Sequence, residues 1–235
     1  MLWYKGWLET RIRLAFLFGF ICLIVGMQNW ARHGASGVPN KAAVLSSIYT
    51  LVPMQMLITA AVLGAAGIAT QASFAASKGL HGSTLYTLSL PVKRTRLVLT
   101  RAAIGWVEMA AALTVFVCVI WYRSSALRMM LTSAAWGHFA LTVLVCGSTF
   151  YFIAVLLGSI LDDQWRTWGT MMLAGLMVWA SVHHWLPAAV DIIAAVTRSS
   201  PLVGNAMPWG PMAFSVALSA VLFAATLVIS ERREY

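Results

Sequence analysis

The sequence predicts an all-α integral membrane protein with six transmembrane helices. Of its 235 residues, 60% are hydrophobic and 10% are charged, whereas soluble domains carry about a quarter charged residues to keep their surfaces wet. Mean hydropathy is +0.81, and long uncharged stretches alternate with short basic ones. Six spans of about 20 residues with short connections use up the whole length, so we expect a single transmembrane domain over residues 1–235.

The charged residues mark the boundaries of these spans, which we place at about residues 14–30, 45–70, 97–122, 134–160, 168–186 and 212–230. Residues 1–13 mix aromatic and basic side chains, a composition typical of an amphipathic elbow helix on the membrane surface. Pro53 is expected near the outer end of span two, where a missing N–H does least harm. Asp162, Asp163 and Arg166 are expected to form a polar turn between spans four and five.

A short apolar stretch, residues 188–196, lies between prolines that separate spans five and six. Because nine residues cannot cross a bilayer, this stretch predicts a short outer or re-entrant helix. The basic residues then set the orientation. With the N-terminus inside, the outer loops hold only Arg32, Lys41, Arg123, Arg128 and Arg198 of the 16 basic residues, and the inner segments hold the other 11. This bias places both termini on the cytoplasmic side.

The net charge of +9 does not point to nucleic acid, since the basic residues lie at the ends of apolar runs, where membrane orientation accounts for them. We therefore expect membrane lipids and no nucleic acid as partners. The three cysteines, Cys22, Cys118 and Cys146, all lie within apolar runs, which argues against a disulfide framework or a thiolate metal site.

The loop between spans two and three predicts a helix of about two turns. Leu85 and Leu88 are one helical turn apart, Gly82 with Ser83 offers a start, and Pro91 forces a stop. A partner with a groove could take the leucine side of such a helix. An interfacial helix without a partner is the alternative that physical reasoning leaves open.

These loop residues resemble those of the ABC-2 type permeases, the membrane subunits of ATP-binding-cassette exporters. Gly82 and Ser83 match the small start of the family's loop, residues 89–92 match its Ser-Leu-Pro-Val core, and Arg94 matches its arginine. Arg101 sits where the family tends to carry a lysine or arginine. Lys93 departs from the usual small polar residue, and the acid that often precedes the start is absent. About fifteen residues carry the motif, and the layout is similar along the whole chain.

The resemblance implies a permease that works as a homodimer or heterodimer in the plasma (inner) membrane of a prokaryotic cell. It implies a coupling helix that docks a cytoplasmic ABC ATPase subunit through Gly82, Ser83, Leu85, Leu88, Pro91 and Arg94. No phosphate-binding loop of the Gly-x-x-x-x-Gly-Lys-Ser/Thr type occurs in the chain, so ATP and Mg are expected on the partner subunit, with no cofactor and no catalysis here. The substrate pathway would be lined by spans one, two and five.

One acid, Glu108, lies within span three, seven residues after Arg101 and therefore on nearly the same helical face. It is expected either to line a translocation pathway or to form a structural ion pair. The neighbouring His183 and His184, with Trp179 and Trp185, are interpreted as an interfacial belt and not a metal or haem site.

Two other functions remain open from the residues. One is an ATP-independent secondary carrier or a membrane assembly factor. The other is an intramembrane enzyme using Ser148, Ser159 or Ser181, although none has a Gly-x-Ser-x-Gly setting. Serines in spans more often bond neighbouring backbone or helices. Similarly, Gly64 and Gly67 indicate close helix packing.

Overall fold

The structure, a computed structural model, describes residues 7, 11–23, 41–64, 94–161, 163–204 and 206–232. The described residues form helices and connecting turns, without a strand. In chain order these helices are α1 (residues 11–23), α2 (Lys41–Leu63), α3 (Arg94–Arg123), α4 (Ser125–Met130), α5 (Ser133–Ile160), α6 (Asp163–Val182), α7 (Ile192–Val196), α8 (Pro201–Gly204) and α9 (Trp209–Arg232).

Four of these helices are long and apolar enough to cross a bilayer. The spanning segments are Leu45–Leu63 in α2, Thr95–Arg123 in α3, Ser133–Ile160 in α5 and Trp209–Arg232 in α9. At 1.5 Å per residue, each covers or nearly covers the ~30 Å hydrocarbon core. The chain is therefore a multi-pass α-helical membrane protein.

The predicted spans three, four and six coincide with α3, α5 and α9 to within three residues at each end. Span five corresponds to α6, which begins earlier, at Asp163, and ends at Val182; it is not among the four strongly apolar helices. Helix α1 covers part of span one, and α2 covers span two as far as Leu63. Residues 24–30 of span one, residues 65–70 of span two, and residues 1–6 and 8–10 of the elbow lie outside the described residues, whereas residues 11–13 of the elbow form the start of α1.

Two expectations about residue placement were wrong. Pro53 lies near the middle of α2 and not near its end, so the helix lacks the bond that its N–H would have donated to the carbonyl of Tyr49. Asp163 and Arg166 belong to the first turn of α6 and not to a loop. Arg101 and Arg166 are both buried within helices.

The short apolar stretch between spans five and six is helical only at Ile192–Val196, and every residue of this α7 is buried. It contacts α2, α5, α6 and α9. The adjoining α8 starts at Pro201 and has one turn. The segment therefore packs among the helices of the bundle and is not exposed on its surface.

Helix α5 forms the centre of the bundle, in contact with α2, α3, α6, α7, α8 and α9. Small residues allow the close approaches: a Cβ on Gly64 would overlap Ala154, and a Cβ on Gly147 would lie 2.8 Å from the Leu113 side chain. The prediction that Gly64 serves helix packing is confirmed by this overlap.

The two ends of the bundle differ in their polar contacts. At one end, the Glu231 end, the hydroxyl of Thr95 donates to the Glu231 carboxylate at 3.2 Å. At the other, the Asp191 end, Ser124 and Thr132 cap α4 and α5, and Asp191 caps α7. Helix α2 finishes and α3 begins at the Glu231 end, so the stretch that joins them leaves and enters the bundle there.

Helix α9 has a membrane-type surface, because its polarity is reversed relative to a soluble helix. Its buried positions are Pro211, Met212, Ser215, Ser219, Thr226 and Ser230, whereas Val216, Val221 and Val228 are exposed. In hydrocarbon, apolar side chains face outward without cost, and small or hydroxyl-bearing residues make the contacts between helices. This reversal supports a bilayer as the surroundings of α9.

Candidate functional site

The predicted ATPase-docking residues Gly82, Ser83, Leu85, Leu88 and Pro91 lie outside the described residues. Arg94 is the first residue of α3, as expected for the basic entry to span three. Two other groups of polar residues are described in full. One is a charged layer inside the bundle toward the Glu231 end, and the other is a cluster around Asp191.

The charged layer contains three ionisable side chains at the depth of the spans: Arg101 and Glu108 from α3 and Arg166 from α6. They are only 7%, 4% and 3% exposed, so none faces open lipid. Glu108 lies about 10 Å beyond Arg101 along the same face of α3. Burying an ionised group in a membrane protein is costly, and such groups normally face the bundle interior with partners. The position of Glu108 fits a structural acid and also a group on an internal pathway.

Tyr151 of α5 connects this layer to the backbone of α3. Its hydroxyl donates to the carbonyl of Ala102 at 2.9 Å. Gly105 makes the approach feasible, since a Cβ there would overlap the tyrosine hydroxyl. One buried phenol thus joins α3 and α5 beside the charged layer.

Two arginines serve the end of α2 in this region. Arg166 Nη2 donates to the carbonyl of Ala61, and Arg13 Nη1 donates to the carbonyl of Val62, both at 3.5 Å. Carbonyls in the last turn of a helix have no intrahelical donor and carry its negative dipole end. The two guanidinium groups therefore supply hydrogen-bond donors to the last turn of α2. They also hold the starts of α6 and α1 against it.

Helices α5 and α9 meet along a seam of hydroxyl groups. The Thr149 and Ser215 hydroxyl oxygens are 2.5 Å apart, and Ser215 also donates to the carbonyl of Val145 at 2.8 Å. Thr149 is within 3.5 Å of the Ser219 hydroxyl. Small and polar residues at positions 215, 219, 226 and 230 could have indicated this seam, because they recur on one face of α9.

A groove of about 340 Å³ opens beside the seam between α3, α5 and α9. Its lining is almost entirely apolar, with Phe152, Val216 and Phe223 among its residues. The polar contact at its wall is internal to the protein: the indole N–H of Trp106 donates to the Ser148 hydroxyl at 2.9 Å. The groove is therefore suited to hydrocarbon and offers little to a polar ligand.

The three serines weighed as nucleophiles make local hydrogen bonds. Ser148 donates to the carbonyl of Leu144 at 2.9 Å, and Ser159 donates to the carbonyl of Leu156 at 2.6 Å. Ser181 donates to the Asp191 carboxylate at 2.9 Å. A hydrolase serine would instead donate to an imidazole held by a carboxylate, so the order of groups around Ser181 is not that of a catalytic triad.

The cluster around Asp191 joins three parts of the chain. Its Oδ1 accepts from the backbone N–H of Ala194 at 2.8 Å, which caps α7. Its Oδ2 accepts from Ser181, the penultimate residue of α6, and from Arg198 Nη2 at 2.8 Å. Asp191 is 1% exposed and Arg198 is 39% exposed. One buried carboxylate therefore holds α6, α7 and the turn after α7 together.

The paired histidines His183 and His184 follow α6 and do not lie on it. The His183 ring packs on Trp179 with 4.8 Å between centroids, and Trp179 also packs on Trp185 at 4.5 Å. Exposed rings at the end of a span are typical of a membrane interface. Within the described ranges, no group of three or more metal-ligating side chains occurs.

Comparisons with protein-family models, with curated proteins and with solved structures found no match to this chain. The fold itself defines the class, which is a multi-pass α-helical membrane protein.

Proposed function

We propose that the chain is the transmembrane permease subunit of an ATP-binding-cassette exporter of the ABC-2 type. A separate cytoplasmic subunit would bind ATP and Mg and supply the hydrolysis, and both termini would face the cytoplasm of a prokaryotic cell. The observation that carries the proposal is the motif from Gly82 to Arg94, which resembles the coupling helix of that family. The arrangement of the flanking helices supports the proposal, since α2 finishes and α3 begins at the same end of the bundle and the motif lies between them in the sequence.

The exposed faces of α1 and α6 support a permease that pairs with a second copy or a related permease. Ile12, Phe16 and Leu23 of α1 are 61%, 76% and 56% exposed. Beside them, a Cβ on Gly19 would meet nothing within 4 Å, which leaves room for another helix to approach. On α6, Met172 is 69% exposed. These helices correspond to spans one and five, which the family uses with span two to line its pathway.

A co-purification experiment tests the proposal. The tagged chain is expressed with an ATPase encoded beside its gene, and Leu85 and Leu88 are changed to Asp. Loss of the ATPase from the purified complex is expected, because two carboxylates on the apolar side of the coupling helix prevent docking. Thr87→Asp is the matched control, since the predicted helix would carry residue 87 away from its leucine side, and this change should leave the complex intact.

Two results would overturn the proposal. One is an ATPase that stays bound to the Leu85→Asp, Leu88→Asp variant while the variant remains folded by circular dichroism. The other is labelling of Ser83→Cys or Thr87→Cys by a membrane-impermeant reagent applied outside intact cells. Such labelling would place the motif on the wrong side of the membrane.

The buried charged layer favours a second candidate, an ATP-independent secondary carrier. Ionisable residues inside spans often relay protons or bind coupling ions, and Glu108 lies on α3 with Arg101 in this layer. A carrier would transport in vesicles without nucleotide and would respond to a proton or sodium gradient. Glu108→Gln would abolish that response in a carrier, whereas an exporter would keep its dependence on ATP.

A further inference from the structure

The Asp191 end carries a contact between a histidine and an arginine that goes beyond the proposed function. His184 Nε2 lies 3.2 Å from Arg198 Nη1. A guanidinium has only donors, so a hydrogen bond between these two atoms requires an imidazole nitrogen that carries no proton. The same guanidinium bonds Asp191 through Nη2 at 2.8 Å and the carbonyl of Ser181 at 2.6 Å.

The backbone holds His184 in a conformation that is unusual for histidine. Its φ is 58°, in the left-handed region that glycine normally occupies after a helix. The N–H of His184 bonds the carbonyl of Ser181 and the N–H of Trp185 bonds that of Ala180, which together form a Schellman motif at the end of α6. The Trp185 ring packs on Trp179, as is common in this motif.

A strained position occupied by a side chain with a specific contact points to a role for that side chain. Glycine would remove the strain at residue 184 but would supply nothing for Arg198 to bond. The imidazole, in contrast, holds the exposed side of the guanidinium while Asp191 holds the buried side. The three side chains form a latch, which we define as His184, Arg198 and Asp191.

The charged and titratable groups around His184 come from each neighbouring element. The turn after α7 contributes Arg198, the link before α7 contributes Asp191, and the end of α6 contributes His183, whose ring packs on Trp179. A proton on His184 Nε2 would place a donor and a positive charge against the Arg198 guanidinium. The bond would be lost, and like charges would repel at close range.

We propose that the latch is sensitive to protons. Neutral His184 holds Arg198 against Asp191 and keeps the segment from α7 to α8 closed on the bundle, and protonated His184 weakens this hold. The latch is therefore closed while His184 is neutral and weakens when His184 gains a proton. Because α7 packs against α2, α5, α6 and α9, loosening this segment would change the helix packing in that half of the bundle.

A spin label on α8 tests the proposal. Val203 is 60% exposed, so Val203→Cys accepts a nitroxide without disturbing the core, in a chain whose Cys22, Cys118 and Cys146 are changed to Ala. The label is attached at neutral pH, and its mobility is then recorded from about pH 7.5 to about pH 5.5, which spans histidine titration. We expect about a fivefold increase in the ratio of mobile to immobile label, the shift that loss of one hydrogen bond produces.

Matched variants separate the latch from other titrations. His184→Gln and His184→Asn cannot gain a proton and should remove the pH response, while His183→Gln should retain it because that ring contacts Trp179 and not Arg198. Asp191→Asn should leave the label mobile at both pH values. The proposal is overturned if both folded His184 variants still respond to pH. It is also overturned if the label in the parent protein stays immobile at low pH while the label in the Asp191→Asn variant is mobile. In that case the label can report a loosened segment, but the imidazole turns away from Arg198 without loosening it.

Discussion

The contact between Gly105 and Tyr151 offers a sharp test of how the charged layer is packed. A Cβ on Gly105 would overlap the Tyr151 hydroxyl and lie 3.2 Å from the ring carbon that bears it. Gly105→Ala should therefore introduce overpacking that costs about 1–3 kcal/mol. Alanine favours a helix by about 1 kcal/mol over glycine, so the expected net loss of unfolding free energy is about 0–2 kcal/mol.

Tyr151→Phe removes the oxygen that overlaps and also the bond to the carbonyl of Ala102. Hydrogen bonds between membrane helices contribute about 0.6 kcal/mol on average and about 1.7 kcal/mol at most. In the Phe background, Gly105→Ala loses most of its steric cost and keeps its gain in helix propensity. The double variant should therefore be more stable than the sum of the single variants by about 1–3 kcal/mol.

Equilibrium unfolding in mixed micelles, followed by circular dichroism as a denaturing detergent is added, measures this coupling. Gly175→Ala is the matched control, because no atom lies within 4 Å of its added Cβ, and it should be neutral or slightly stabilising. Additivity of the two changes within about 0.5 kcal/mol would refute the close packing of Tyr151 on α3.

Three further changes test other contacts, each by the same unfolding assay. Gly64→Val should lower the unfolding free energy by about 1–3 kcal/mol, since the side chain has no room against Ala154; a neutral result would contradict the close approach of α2 and α5. Thr149→Val with Ser215→Ala should show a coupling of about 0.6 kcal/mol and not above about 1.7 kcal/mol, and zero coupling would contradict the bond between them. Thr132→Ala should cost about 1 kcal/mol by removing the cap of α5, whereas an unchanged midpoint would show that solvent replaces the cap.

The long spans could be predicted because the cost of a charge in hydrocarbon leaves a clear pattern. Between Arg128 and Asp162 the sequence has no charged residue, and α5 fills most of that interval. The same rule does not predict the burial of Arg101 and Arg166 inside the bundle. Their positions depend on groups supplied by other helices, such as the carbonyl of Ala61 that receives Arg166, and spacing along one helix does not reveal them.

The short apolar segment between spans five and six illustrates the same limit at the Asp191 end. Its length predicted that it could not cross the membrane, and Asp191 is a good N-cap residue ahead of an apolar run. The three-way contact with Ser181 and Arg198 could not be read from spacing, because it depends on how the chain turns after α6 and α7. The motif between residues 82 and 94 lies outside the described residues, so the docking site stays a prediction from sequence.

The hydroxyl seam between α5 and α9 has a consequence for how the protein is made. Ser215, the hydrogen-bond partner of Thr149, is 66 residues later in the chain. Ribosomes add about 5–20 residues per second. At that pace about 3–13 s separate the synthesis of Thr149 from that of Ser215. During this interval the Thr149 hydroxyl can donate to the carbonyl of Val145 in its own helix, as Thr142 does to the carbonyl of His138, so the arrival of α9 exchanges a local hydrogen bond for one between helices.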